Sequence, residues 1–205
     1  MALAPAVPDV SFFSRDAVII GEVEVLEDVV NPSPDANSIG LSRGSYVSIP
    51  SSTFDLIENE VSIALWVRGE NQPRRDSVFF ATNAEGKRII NIHLPWNNSQ
   101  IFWDCGYGEG AFDRIQASAD PSSFEGVWNH WVFTKNASTG QMAMYLNGSL
   151  FHLGEGNTRV IEGITDASIS RAGNLGYSGS VDDVQIYNVE LTAEEVSTLF
   201  SSYNE

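Results

Sequence analysis

The chain has 205 residues, 42% hydrophobic and 11% aromatic, with 11 Lys and Arg against 27 Asp and Glu for a formal net charge of −16. That length and apolar content suit one folded domain with its own core and exclude a disordered or collagen-like chain. A surface so negative repels phosphate backbones and anionic lipid, which sets aside nucleic acid and membrane insertion as partners.

Residues 1–17 carry no clear periodicity and are expected to form a leader or linker of the single domain 1–205. Residues 1–8 lack the basic start and apolar stretch of a signal peptide, so a monomeric module within a longer chain is expected. Short strands then follow at regular spacing. Residues 18–20 and 23–26 open the series, and the Pro- and Asn-rich run 31–37 reads as a loop. Residues 46–50 alternate and stop at proline. Residues 61–68 alternate over a full strand length, which implies one buried face. Strands are expected at 77–81 and 88–94, joined by a turn at 83–86, and again at 101–105. Residues 128–135 and 142–146 read as a hairpin, and Asn147-Gly148 turns the chain into 150–152. The one expected helix is short: Thr192 caps it, Glu195 completes a capping box, and Leu191, Val196, Leu199 and Phe200 form its apolar stripe. Strands without alternating helices predict an all-β, two-sheet antiparallel sandwich.

The densest candidate site is residues 94–115. Aromatic rings stack on the apolar faces of sugars, while Asn, Asp and Arg satisfy hydroxyls directionally. Trp96, Asn97, Asn98, Trp103, Asp104, Tyr107, Asp113 and Arg114 are the expected ligand-binding residues. Trp96 leads, because it sits in a polar, proline-led loop where a core role is less natural. Phe102 and Trp103 alternate on a strand, so one of the two must face the core. Glycines at 106, 108 and 110 free the backbone to bend around a cation, and Asp104, Glu109 and Asp113 are expected to converge on Ca²⁺. Trp66, Trp128 and Trp131 lie inside alternating strands and are expected in the core. His130 is expected to be a structural, hydrogen-bonded residue.

Catalysis finds little support in the residues. A glycoside hydrolase needs two carboxylates across the cleavage site, and no strand carries a matching trio of alternating acids. His93, His130 and His152 lie in strand-like contexts without a Gly-x-Ser-x-Gly turn. Cys105 is the only cysteine, which excludes an internal disulfide and fits a bacterial protein better than a eukaryotic ectodomain.

Three segments carry a family resemblance: residues 126–134 (GVWNHWVFT), 142–148 (MAMYLNG) and 177–196 (YSGSVDDVQIYNVELTAEEV). Together they resemble the laminin-G-like jelly roll of the concanavalin A-like lectin/glucanase superfamily, over residues 40–200. The resemblance implies a jelly roll and a recognition module. It also implies a structural Ca²⁺ near Asp182 or Asp183, the alternative being a β-bulge whose Asp caps neighbouring amides. Acidity and absent disulfides suit large extracellular bacterial adhesins of the RTX type. The expected function is therefore non-catalytic, calcium-assisted adhesion at the bacterial cell surface, to a cell-surface glycan or an exposed peptide. The alternative is a polysaccharide-degrading enzyme domain or its appended carbohydrate-binding module.

Overall fold

The computed structural model describes residues 6–27, 30, 37–170 and 175–204. The strands are β1 (Ala6–Val7), β2 (Ala17–Ile20), β3 (Glu24–Leu26), β4 (Ser38–Leu41), β5 (Tyr46–Ile49), β6 (Glu60–Gly69), β7 (Phe79–Asn83) and β8 (Arg88–His93). They continue with β9 (Gln100–Gly108), β10 (Ala111–Ser118), β11 (Asn129–Asn136), β12 (Gln141–Leu146), β13 (Ser149–Gly154), β14 (Ile164–Ile169) and β15 (Gly179–Tyr187), and among the described residues one α-helix follows, α1 (Ala193–Ser201). They form an eight-stranded sheet in the order β1-β2-β5-β14-β7-β8-β9-β10 and a seven-stranded sheet in the order β13-β12-β11-β6-β15-β4-β3. Every ladder is antiparallel, as the alternation and turn spacing predict.

Two differences from the sequence reading stand out. Ala6–Val7, inside the expected leader, pairs with Val18 and Ala17 and so joins the eight-stranded sheet. Of the expected loop at 31–37, residues 31–36 lie outside the described residues. Residues 111–118 and 164–169, to which the sequence reading assigns no strand, are full strands. β10 escapes a period-2 search because its inward positions include Asp113 beside Ile115.

The core fills the space between the sheets. Trp103 from one sheet meets Phe133 from the other at 5.7 Å between ring centroids, and Trp131 stacks on Phe133 at 5.8 Å. Both indole N–H groups stay satisfied although buried, Trp103 donating to the Thr134 carbonyl and Trp131 to the Ser123 carbonyl. On β11 the inward positions are Trp131, Phe133 and then Lys135, which is fully buried. Its ammonium donates to the Cys105 carbonyl at 2.8 Å and to Asp113 at 2.7 Å. Arg159 adds a 2.5 Å bond to the same carboxylate, so an ionic cluster ties β9 and β10 to β11 across the sandwich. Burial raises the Asp113 carboxyl, but the hydrogen bonds from Lys135 and Arg159 outweigh it and hold the group below the usual carboxylate range.

α1 packs on the outer face of the seven-stranded sheet over β6, β11 and β12. Thr192 accepts from the Glu195 amide while Glu195 accepts from the Thr192 amide, so the expected capping box is formed. Val196 and Leu191 pack on Ala64, Val132, Ala143 and Tyr145. Behind the helix, the His130 ring lies 5.1 Å from Trp66 and 5.8 Å from Tyr203. Contrary to expectation, neither His130 ring nitrogen finds a hydrogen-bond partner. Burial lowers its pKa to about 4. An unfolded imidazole titrates near ~6.5, so the unfolded chain gains the extra proton first and stability is lost as pH falls from there towards 4. His130→Phe keeps an aromatic ring in the cluster and removes this loss. Its melting temperatures at pH 7 and pH 4.5 are expected to lie closer together than those of the parent chain, and an unchanged gap contradicts the assignment.

Candidate functional site

The outer face of the eight-stranded sheet is not covered by α1. Strand alternation sends Ile101, Trp103 and Cys105 inward and leaves Phe102 and Asp104 outward. Register then lines residues from neighbouring strands beside them. Asp104 pairs with Arg114 on β10 and with Asn91 on β8, and Phe102 pairs with His93. A register shift in β8 lets Arg88 reach the same face.

Asp104 is the hub. Arg114 donates to it through Nε at 2.5 Å and through a terminal nitrogen at 2.8 Å, and Arg88 donates from the other side at 2.6 Å. The carboxylate is fully buried, while the Arg88 and Arg114 side chains keep 28% and 34% exposure. Both guanidiniums also lie on rings: Arg114 over Phe102 at 4.6 Å, and Arg88 over Phe112 at 4.8 Å. The arginines are thus immobilised with an edge turned outward.

Trp96 forms the opposite wall. Its amide donates to the Gln100 carbonyl and its carbonyl accepts from the Ser99 amide, closing a tight turn whose tip is Asn97 and Asn98. The half-buried Trp96 ring rests 4.4 Å from His93, with the Arg75 guanidinium 5.9 Å from its centroid. His93 is buried and locked on both sides, Nδ1 against the Asp76 carbonyl at 2.5 Å and Nε2 against the Asn91 amide nitrogen at 2.7 Å. Assigning Nδ1 as donor and Nε2 as acceptor satisfies both contacts with a neutral ring. Burial drives the His93 pKa down to about 4, against the opposing effect of the Asp76 hydrogen bond. Burial pushes the Asp76 carboxyl up to about 7.

Arg88, His93, Trp96, Phe102 and Arg114 enclose a half-open cavity of about 210 Å³. The walls are aromatic, the polar groups are fixed hydrogen-bond donors, and no lining residue is a carboxylate. Asp104 lies beneath, committed to two guanidiniums, so no pair of carboxyl groups spans the cavity in the way glycoside hydrolysis requires.

The expected site residues divide. Trp96, Asp104 and Arg114 do come together, with Asn97 and Asn98 exposed on the adjoining turn. Trp103 does not: it is fully buried in the core with its indole N–H engaged, and the outward member of the Phe102–Trp103 pair is Phe102. Tyr107 packs against the core from the inward side. Asp113 faces Lys135 inside the sandwich, on the opposite side of the sheet from Asp104. Arg88 and His93 lie outside the expected 94–115 region, and Phe102 and Phe112 lie within it without being named as ligand-binding. The adjacent-strand register that gathers them is not written in the 94–115 window.

The expected calcium ligands do not assemble. Asp104 and Asp113 are saturated by cations and face opposite ways, while Glu109 stands exposed at a hairpin tip. Gly106 and Gly110 serve the backbone instead. Gly106 has φ +81° and lies against the Arg159 carbonyl, where any Cβ would collide. Glu109 and Gly110, both at positive φ, make the two-residue turn between β9 and β10. Asp182 accepts from the Val30 and Asp183 amides at a register shift in β15, with Asp183 at φ +42°, which is the bulge alternative. Among the described residues, no three His, Cys, Asp or Glu side chains gather in a metal-binding arrangement.

Comparison with known proteins agrees with the fold. A family model described as the concanavalin A-like lectin/glucanases superfamily matches residues 41–197. A search of curated protein sequences finds no match. Among solved structures, the binding domain of botulinum neurotoxin DC is similar in complex with rat synaptotagmin II, with TM-score 0.74 and 18% identity over 96% of this chain and 48% of that one. The same domain in complex with SialylT gives TM-score 0.75 and 17% identity, again over 96% and 48%. Domain 4 of AbnA, a GH43 extracellular arabinanase from Geobacillus stearothermophilus in complex with arabinotriose, gives TM-score 0.67 and 17% identity, over 89% of this chain and 87% of that one. The chain thus spans about half the length of the toxin domains and most of the arabinanase domain.

Proposed function

The chain belongs to the concanavalin A-like lectin/glucanase superfamily, and on that premise we propose that it is a non-catalytic module that holds one ring of a cell-surface glycan against Trp96. The observation that carries this reading is the aromatic cavity itself, open to solvent and edged by guanidinium donors that Asp104 holds in place. At about 210 Å³ it is smaller than the roughly 300–1,000 Å³ of sites that enclose a drug-sized molecule, and it suits a single sugar ring with the rest of the chain outside. A peptide is the less favoured ligand, because an extended segment needs a longer groove than this cavity offers.

The likeness to a structure holding arabinotriose, along most of that domain, supports the glycan reading. It also favours one variant of it, a module appended to a polysaccharide-acting enzyme. The proposed location is extracellular, on or released from a bacterial cell. Calcium, expected from the acidity, is proposed to act away from this cavity and not on the ligand, since every carboxylate near the cavity is ion-paired or bound in the fold.

A glycan array probed with the chain in Ca²⁺ and again in EDTA tests the reading. Binding that Trp96→Ala abolishes and chelation leaves intact is expected. Binding that disappears with the metal contradicts a cavity that works without it.

A further inference from the structure

The charge at the cavity runs against the charge of the molecule. Only 11 of 205 residues are Lys or Arg, and the chain carries −16 overall. Yet Arg88 and Arg114 both line this one cavity, and Arg75 stands over the face of Trp96. Asp104 neutralises one of the two lining guanidiniums, which leaves an excess of positive charge there. His93 is held neutral and contributes none.

The hydrogen bonds sharpen the point. Arg114 gives Asp104 its Nε and one terminal nitrogen, and Arg88 gives one terminal nitrogen. Among the described residues, nothing accepts from the second terminal nitrogen of either arginine. These donors face solvent on partly exposed side chains and are open to an acceptor from the ligand, and their planar fork matches a carboxylate better than a hydroxyl. A site for neutral sugars needs no such excess: amide and hydroxyl groups orient the ring without charge.

We infer that the cavity selects an acidic saccharide, its ring on Trp96 and its carboxylate on the outward edges of Arg88 and Arg114. This rests on the glycan reading above. The pairing of two arginines on one buried carboxylate is then a positioning device. It fixes the donors before the ligand arrives, so little side-chain freedom is lost on binding.

The test compares trigalacturonic acid with its methyl ester, and 3′-sialyllactose with its methyl ester, by calorimetry on the intact chain in EDTA. EDTA removes any bridging cation, and the two pairs separate a uronate from a sialate. Esterification leaves the ring and removes the charge. At least one acid is expected to bind on the order of ten- to a hundred-fold tighter than its ester. Arg88→Gln, which leaves Arg114 on Asp104, is expected to shrink that ratio. Equal binding of acid and ester, abolished by Trp96→Ala, leaves the glycan reading standing and overturns the charge selection. So does a ratio unchanged in both Arg88→Gln and Arg114→Gln. Absence of binding by both acids and both esters, with neutral glycans still bound, also overturns it. No binding of any saccharide overturns both.

Discussion

Lys135→Met is expected to destabilise the fold by about 3–5 kcal/mol, the range for breaking a buried ion pair from one side. The substituted side chain has similar length, so the loss is electrostatic. Asp113 would remain buried between the sheets with Arg159 as its one cation, and the Cys105 carbonyl would lose its donor. For a chain of this size, the change corresponds to a melting temperature lower by roughly 6–20 °C. The pH dependence follows from Asp113. Its folded-state pKa is depressed, so its stabilisation is present above the ordinary Asp value and is lost as pH falls through the folded value. In Lys135→Met that acid-limb contribution should diminish, so the penalty measured at pH 7 shrinks towards pH 3. Thermal melts at the two pH values check this. An equal penalty at both would mean that Lys135 acts through packing alone.

Trp103→Ala is the second large effect, and it separates the core from the site. Removing a fully buried tryptophan costs about 3–5 kcal/mol through lost burial and the cavity left behind. Here the contact with Phe133 and the bond to the Thr134 carbonyl go with it. The chain should melt at markedly lower temperature yet keep its ligand preference where it remains folded. Trp96→Ala, on a half-exposed loop residue, should do the reverse, with unchanged unfolding and lost binding. If Trp103→Ala removes binding from a chain of undiminished stability, the sides assigned to β9 are wrong.

How far the sequence could be read depends on the range of the information. Alternation in residues 61–68 and 128–135, the Asn147-Gly148 turn and the Thr192–Glu195 cap are local signals, and each element forms where they place it. Trp96 could be singled out because a large aromatic in a polar loop is locally odd. What could not be read is facing. Asp104 and Asp113 look like neighbours in a glycine-rich stretch, yet one points out to two arginines and the other in to a lysine. Arg88 and His93 reach the cavity from β8 by register, which no single window shows. The buried lysine was detectable in principle, since Lys135 continues the inward positions of Trp131 and Phe133. A charge at such a position demands a buried partner, and Asp113 meets that demand.

The most direct measurement is the set of tryptophan indole N–H resonances during titration with the saccharide that binds best. Trp96→Phe assigns its own signal. The account predicts that the Trp96 resonance moves with ligand concentration, while those of Trp103 and Trp131, bonded to carbonyls in the core, hold still. A bound saccharide that leaves the Trp96 signal in place would contradict the cavity as the seat of recognition.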